Sequence, residues 1–295
     1  MNDPTELLQE PVVPGGTIVV GVDTHDTWQD AADWAADQAV LDGRGVTLVH
    51  VADTTEEIWH DPAGHDTRIG LAEAVSAPQQ VLEQARTRVV ARAPHLAVHT
   101  VLRGGGVRDA LRTVAQDAHL LVLGARRHRT LWSRLAGTVG AGVVRRPPCP
   151  AVVVHPTNPV LVHRGVLAAV DDTARSDAVL RFAFRQASQR GLPLTVLHVA
   201  PEPTYGPPAD DPEEARYLAE VVAGLREVWP DVPAQTVIGR GDPSAGILDA
   251  GRRMNLVVLG AHEGRSLADL LLGSVVSPVV ERADCPVAVV PPALG

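Results

Sequence analysis

Two β-branched runs of the sequence end at an acidic residue: Asp23 closes "TIVVGVD" (17–23) and Asp171 closes "GVLAAVD" (165–171). Two others, "HLLVLGA" (119–125) and "NLVVLGA" (255–261), run instead to a glycine, Gly124 and Gly260. Each glycine opens a polar loop, with Arg126 and Arg127 in one and His262 and Glu263 in the other. The loops close at Gly137-Thr138 and Gly273-Ser274, the same distance on in both cases (137 − 124 and 273 − 260), and Val139 and Val275 follow. A glycine-lined loop that ends in a small hydroxyl at a helix start offers free backbone N–H groups and the positive end of a helix dipole, a means of holding phosphate. Taken singly, each feature has an ordinary structural reading, a turn glycine or an N-cap. Their joint recurrence at one spacing points to a ligand site, or to the relic of one.

The chemistry available is narrow. All 26 basic residues counted as Lys+Arg are arginine, which excludes a Walker-type phosphate loop and any Schiff-base lysine. No Ser/His/Asp or paired-carboxylate constellation stands out, so no catalytic residue is assigned and the chain is read as a non-enzyme, with weak nucleotide hydrolysis left open. Net charge is −9, and no basic stripe with interleaved aromatics occurs, which argues against nucleic acid and anionic membrane as partners. The stretch "RRHRTLWSR" (126–134) comes nearest and is read as part of the first glycine loop. The two cysteines, Cys149 and Cys285, each precede a proline and an apolar run and are read as small buried residues rather than a disulfide. With no apolar run of bilayer length and no secretory leader in "MNDPTELLQEPVVPGG", a cytoplasmic location is expected.

The elements that must position these residues come from an internal repeat. "VTLVHVA" (46–52) recurs as "LTVLHVA" (194–200), offset by 148 as are the strands ending in Asp23 and Asp171. The runs ending in Gly124 and Gly260 are offset by 136, as are "CPAVVV" (149–154) and "CPVAVV" (285–290). The first half therefore carries 12 extra residues (148 − 136), assigned to a polar loop over 53–77. In that loop His60, Asp61, His65 and Asp66 are read as surface residues, not metal ligands. Alternating β-branched and helical patterns predict strands near 17–22, 46–51, 96–101, 119–124 and 150–154, with helices near 28–41, 78–92, 107–117 and 137–146. The second half predicts strands near 165–170, 194–199, 234–238, 255–260 and 286–290. The glycines of "GTVGAGV" (137–143) are read as serving close helix packing. The expected architecture is α/β: two tandem open, five-stranded, parallel-sheet Rossmann-like domains at 16–158 and 159–295, after a flexible tail over 1–15. If strands one and four are neighbours, the acidic residue and the glycine loop of each half face one crevice at the carboxyl edge of the sheet.

These residues resemble the universal stress protein family in a tandem two-domain form, from about residue 16 onward. The family's nucleotide motif is G-x-x-G, nine residues, then G-[ST]. Here Gly124 and Gly260 match its first glycine, and Gly137-Thr138 and Gly273-Ser274 its end, while Arg127 and Glu263 replace the second glycine. The resemblance implies that Asp23 and Val51, or Asp171 and Val199, hold the adenosine of ATP or AMP. It implies that Gly124, Arg126, Gly137, Thr138 and Val139, or Gly260, His262, Gly273, Ser274 and Val275, hold ribose and phosphates, with Mg accompanying the nucleotide. "RGDPSAGIL" (240–248) keeps the family's Asp-Pro before helix three, whereas the first half has "RGGGVRDAL" (103–111). The residues after strand one, "THD" and "DTA", depart from the common Gly-Ser. Arg127 can pair with phosphate and Glu263 repels it, so the first half is expected to bind more tightly. A stress-response regulator that binds adenine nucleotide is the leading expectation. A nucleotide-free interaction scaffold is the alternative, and an ATP-using enzyme of the adenine-nucleotide hydrolase-like group is a third reading, weakened by the missing Ser-Gly-Gly loop. The last strands, 150–154 and 286–290, are expected to pair the halves as an internal pseudo-dimer, with a homodimer of the whole chain also open.

Overall fold

The computed structural model describes residues 13–24, 27–52, 67–125, 139–156, 164–171, 176–200, 212–261 and 275–292. The chain divides into two compact units, with the main division between Val154 and His155.

In the first unit β1 (Ile18–Gly21), β2 (Val46–Ala52), β3 (Val98–Gly104), β4 (Leu120–Gly124) and β5 (Ala151–Val154) alternate with α1 (Trp28–Asp42), α2 (Thr67–Arg92), α3 (Val107–Val114) and α4 (Val139–Val144). The strand order is β3-β2-β1-β4-β5, all parallel. The second unit repeats this with β6 (Val166–Val170), β7 (Leu194–Ala200), β8 (Ala234–Arg240), β9 (Leu256–Gly260) and β10 (Val287–Val290). Its helices are α5 (Ser176–Arg190), α6 (Pro212–Val228), α7 (Pro243–Ala250) and α8 (Val276–Arg282), and its strand order is β8-β7-β6-β9-β10. The predicted parallel α/β architecture is thus present in both units.

The sheet cores follow from composition. "IVVG", "LLVLG" and "AVVV" are apolar at every position, which suits strands covered on both faces by crossover helices. Ile18, Val19, Val20, Leu121, Val122, Ala151 and Val152 are accordingly fully buried, as are Val166, Leu167 and Ala168 in the second unit. After β3 the chain crosses β2 and β1 to lay down β4, so its direction across the sheet reverses between β1 and β4, and between β6 and β9. Those two positions are the switch points at which open α/β sheets leave a crevice.

Several boundaries differ from expectation. The polar loop predicted over 53–77 is helical from Thr67, because α2 begins there and passes through Pro78. A proline inside a helix forfeits one N–H bond and crowds the carbonyl four residues back, so Pro78 reads as a helix start. The alanine- and glutamate-containing stretch ahead of it favours helix strongly enough to continue through. Helix α2 has 26 residues and α6 has 17, so nine of the 12 extra residues (26 − 17) extend this helix. In addition β3 spans Val98–Gly104 instead of 96–101, α3 ends at Val114 instead of 117, and α4 ends at Val144 instead of 146. Among the described residues, no helix is long and apolar enough to cross a membrane.

Candidate functional site

Each crevice is assembled from the carboxyl ends of three adjacent strands. In the first unit Val22 N–H still bonds the Val49 carbonyl at 2.8 Å, one step beyond the end of β1, so Asp23 is delivered by an ordered backbone. Val51 lies near the end of β2, in register with Arg103 of β3. β4 pairs with β1 and ends at Gly124, and Ala125 N–H continues the ladder to the Val154 carbonyl at 2.9 Å. The second unit places Asp171 directly after β6, Val199 near the end of β7 and Gly260 at the end of β9, with Ala261 N–H on the Val290 carbonyl at 2.8 Å. The strands expected to be neighbours are paired in both units. Asp23, Val51 and Gly124, and likewise Asp171, Val199 and Gly260, share one sheet edge.

The other predicted site residues divide differently. Val139 opens α4 and Val275 is the N-cap of α8, with φ −83° and ψ −49°. Arg126, Arg127, Gly137 and Thr138, with His262, Glu263, Gly273 and Ser274, lie outside the described residues, as do His60, Asp61, His65 and Asp66.

The two strand-four glycines have different surroundings. A Cβ at Gly124 would overlap the carbonyl and backbone of Thr27, so the start of α1 lies directly against the end of β4. At Gly260 a Cβ would meet only a Val179 methyl, at 3.3 Å. Gly124 is therefore required for close approach of backbone to backbone, whereas Gly260 is not. Gly142 of "GTVGAGV" also marks close packing, since a Cβ there would run into the Arg108 guanidinium. On the other side of the second crevice, Gly246 of α7 lets the helix lie over Val199, whose Cγ2 would be 3.1 Å from an added Cβ.

The turns into α3 and α7 correct one alignment. Read as sequence, "RGGGVRDAL" and "RGDPSAGIL" align on their Arg-Gly pairs. In the fold Gly105 (φ +117°) corresponds to Gly241 (φ +115°), a shift of one residue, because only glycine accepts that backbone freely. Gly106 then occupies the N-cap position that Asp242 fills in the second unit. Asp242 Oδ1 accepts the Ala245 N–H at 2.7 Å, and Gly106 provides no such cap.

Four residues at the crevices were not singled out by sequence reasoning. His50 and His198 are buried near the ends of β2 and β7, and their Nδ1–H groups donate to the carbonyls of Val22 and Val170 at 2.8 and 3.0 Å. Burial holds the His50 imidazole below its ordinary range, against the opposing pull of the Val22 carbonyl and Asp23. Thr27 donates its hydroxyl to the Asp23 carboxylate at 3.0 Å, and the Ser176 hydroxyl lies 2.8 Å from the Asp171 carbonyl and 3.0 Å from the Asp171 carboxylate. The histidines had a signal, since both stand in the repeated "HVA" of strand two. The hydroxyls had none, because they do not occupy matching positions of the repeat.

The cysteines offer no nucleophile. Both are free and buried, and burial pushes each thiol up to about 12, so neither is ionised near neutral pH. Among the described residues, no group of three or more His, Cys, Asp or Glu could hold a metal ion.

The fold and these edges define a tandem open α/β protein with a switch point in each unit. The universal stress protein family model matches residues 16–155 and again 163–291. The chain belongs to that family and carries two of its domains. It is similar to a universal stress protein of Mycolicibacterium smegmatis, 33% identical over 288 residues that cover 93% of this chain and 97% of that one. A universal stress protein of Mycobacterium tuberculosis is 30% identical over 291 residues, covering 92% and 95%. Among solved structures, a universal stress protein from Archaeoglobus fulgidus superposes with a TM-score of 0.74 at 17% identity, covering 94% of this chain and 96% of that chain, a likeness of fold.

Proposed function

We propose that this chain is a cytoplasmic, non-enzymatic stress-response regulator that binds an adenine nucleotide, ATP or AMP, at one or both crevices. The observation that carries the reading is the convergence, twice in one chain, of a carboxylate, a valine and a strand-ending glycine on the switch-point edge. The residues present fit such a ligand. Asp23 and Asp171 supply acceptors for the exocyclic amino group of adenine. The backbone at Val51 and Val199, near the ends of the second strands, holds the adenosine beside the carboxylate. Gly124 and Gly260 end the strands that lead into the loops assigned to ribose and phosphates, and Gly124 also admits the start of α1 against the strand end. The phosphates, with any accompanying Mg, fall to the loops over 126–138 and 262–274. There Arg127 favours the anion and Glu263 opposes it, so the first half is the tighter site in this reading.

Mass spectrometry of small molecules released by denaturing freshly purified protein, followed by calorimetric titration with ATP and AMP, tests this. Adenine nucleotide in the released fraction, or saturable binding on titration, supports the reading. Absence of both moves the protein to the nucleotide-free scaffold class, to which the replaced second motif glycine of each half already points.

A further inference from the structure

Around the aspartate of each crevice, two polar contacts recur that belong neither to the sheet ladder nor to a helix cap. The first comes from behind. His50 and His198 are only 7% and 8% exposed, and each gives its Nδ1–H to the carbonyl of the residue immediately before the aspartate. A buried imidazole costs free energy that a valine or leucine in the same strand would not. The second comes from ahead, where Thr27 Oγ1 donates to Asp23 Oδ2 at 3.0 Å, and Ser176 Oγ shares its one proton between the Asp171 carbonyl at 2.8 Å and Asp171 Oδ1 at 3.0 Å. By the repeat offset these hydroxyls are not equivalent: Thr27 matches Arg175 (27 + 148) and Ser176 matches Trp28 (176 − 148). The two halves reach the same contact from different residues. Thr27 is moreover the N-cap of α1 and makes no side-chain capping bond, so its hydroxyl serves Asp23 in place of the helix end. Forgoing that cap costs about 1 kcal/mol.

We propose that His50 with Thr27, and His198 with Ser176, are positioning residues that aim the Asp23 and Asp171 carboxylates at the amino group of a bound adenine. The imidazole fixes the backbone from which the aspartate side chain departs, and the hydroxyl fixes its rotamer. A carboxylate has about four lone-pair directions, so one hydroxyl bond orients it without exhausting its acceptors. The inference rests on the adenine-nucleotide reading and adds to it a source of base selectivity. Hypoxanthine presents an oxygen where adenine presents its amino group. A well-aimed carboxylate therefore rejects ITP, and a loosely held one rejects it less.

The test is the ratio of ATP to ITP affinity in the full chain, measured by calorimetry beside the melting temperature. The unmodified protein should prefer ATP by about tenfold or more. The Thr27→Val, Ser176→Ala double variant should lose most of that preference, and Thr27→Ser with Ser176→Thr should keep it. His50→Asn with His198→Asn should also keep it, because the asparagine amide places an N–H where Nδ1–H stood, whereas leucine at both positions should not. Should the valine variant fail to fold, Thr27→Ala with Ser176→Ala makes the same comparison. An unchanged ratio in the hydroxyl-free variant overturns the inference, and so does an unmodified protein that binds ATP and ITP alike. An unmodified protein that binds neither nucleotide overturns the nucleotide reading itself, and the inference with it.

Discussion

The helix pair that follows the first two strands is fastened by charge in one half and by aromatic contact in the other. Between α1 and α2, Arg88 makes a bidentate pair with Asp33, both bonds 2.7 Å, and Arg92 makes another with Asp37 at 2.6 and 2.7 Å. Hydrogen bonds to those carboxylates raise both guanidinium pKa values further. Between α5 and the end of α6, Phe184 stacks on Trp229 with ring centroids 5.6 Å apart. The repeat offsets place Arg181 and Arg185 opposite Asp33 and Asp37, and Ala36 and Ala93 opposite Phe184 and Trp229. Neither half keeps the other's device at matching positions. The strands, by contrast, repeat their register and their terminal residues. Contacts on a sheet face must fit an apolar surface on both sides, while contacts between neighbouring helices need only be mutually complementary.

The largest expected effect tests the aromatic side. Phe184 is fully buried, and Phe184→Ala should destabilise by about 3 kcal/mol, read by urea unfolding, with faster hydrogen exchange in α5 and α6 peptides. Exchange that changes equally in α1 and α2 would break the contrast. Next comes the pair of strand-ending glycines. Gly124→Ala drives a methyl into the Thr27 backbone and should cost about 2 kcal/mol, while Gly260→Ala should cost less than about 1 kcal/mol. Equal losses would remove the distinction between the crevices. Removing the cap with Asp242→Ala should cost about 1 kcal/mol, and Gly106→Asp should recover about 0.5 kcal/mol in the first half. A destabilised Gly106→Asp protein would show that Gly105 and Gly241 are not equivalent.

The ion pairs should count for less. Arg88 and Asp33 side chains are 39% and 27% exposed, so Arg88→Ala should cost only about 0.5 kcal/mol, and that difference should shrink in high salt. Salt should leave the Phe184→Ala difference unaltered. Smallest is a pH effect. The folded pKa of His50 lies below the ordinary 6.5, so the unfolded chain takes up protons more readily. Stability from this group is complete above about pH 6.5 and declines as pH falls from there through the lower folded value. His50→Asn should flatten that part of the urea-midpoint profile, and an unchanged slope would assign it elsewhere.

Much of this architecture is legible before any coordinates. Uniform apolar runs mark buried parallel strands, and the paired offsets of 148 and 136 place one insertion between β2 and β4. The adjacency of Asp23 and Gly124 follows once strand one is set beside strand four. Local cues mislead where two of them compete. Pro78 reads as a helix start, although the chain ahead of it is helical. The Arg-Gly pairs at 103 and 240 invite an alignment that the positive φ of Gly105 and Gly241 moves by one residue. The hydroxyl contacts at Asp23 and Asp171 come from residues one step apart in the repeat, Thr27 just before α1 and Ser176 at the start of α5, so repeat comparison is blind to them. Helix fastening is likewise hidden, since arginine on an exposed helix face is compatible with many partners or with solvent.

The longer α2 has a counterpart in how the two outer strands are covered. Val237 and Ile238 of β8 are 42% and 41% exposed, whereas Val101, which matches Val237 in β3, is 3% exposed. β8 is a terminal strand, paired on one side by β7, and its other side presents N–H and C=O groups. Adjacent β-branched side chains on an open strand edge are what aggregation by strand addition requires. Arg240, at the end of β8, is the charge nearest to this stretch along the strand. In a concentrated preparation the second half therefore carries the greater tendency to self-associate, and a lysine in place of Val237 would be the first substitution for improving solubility.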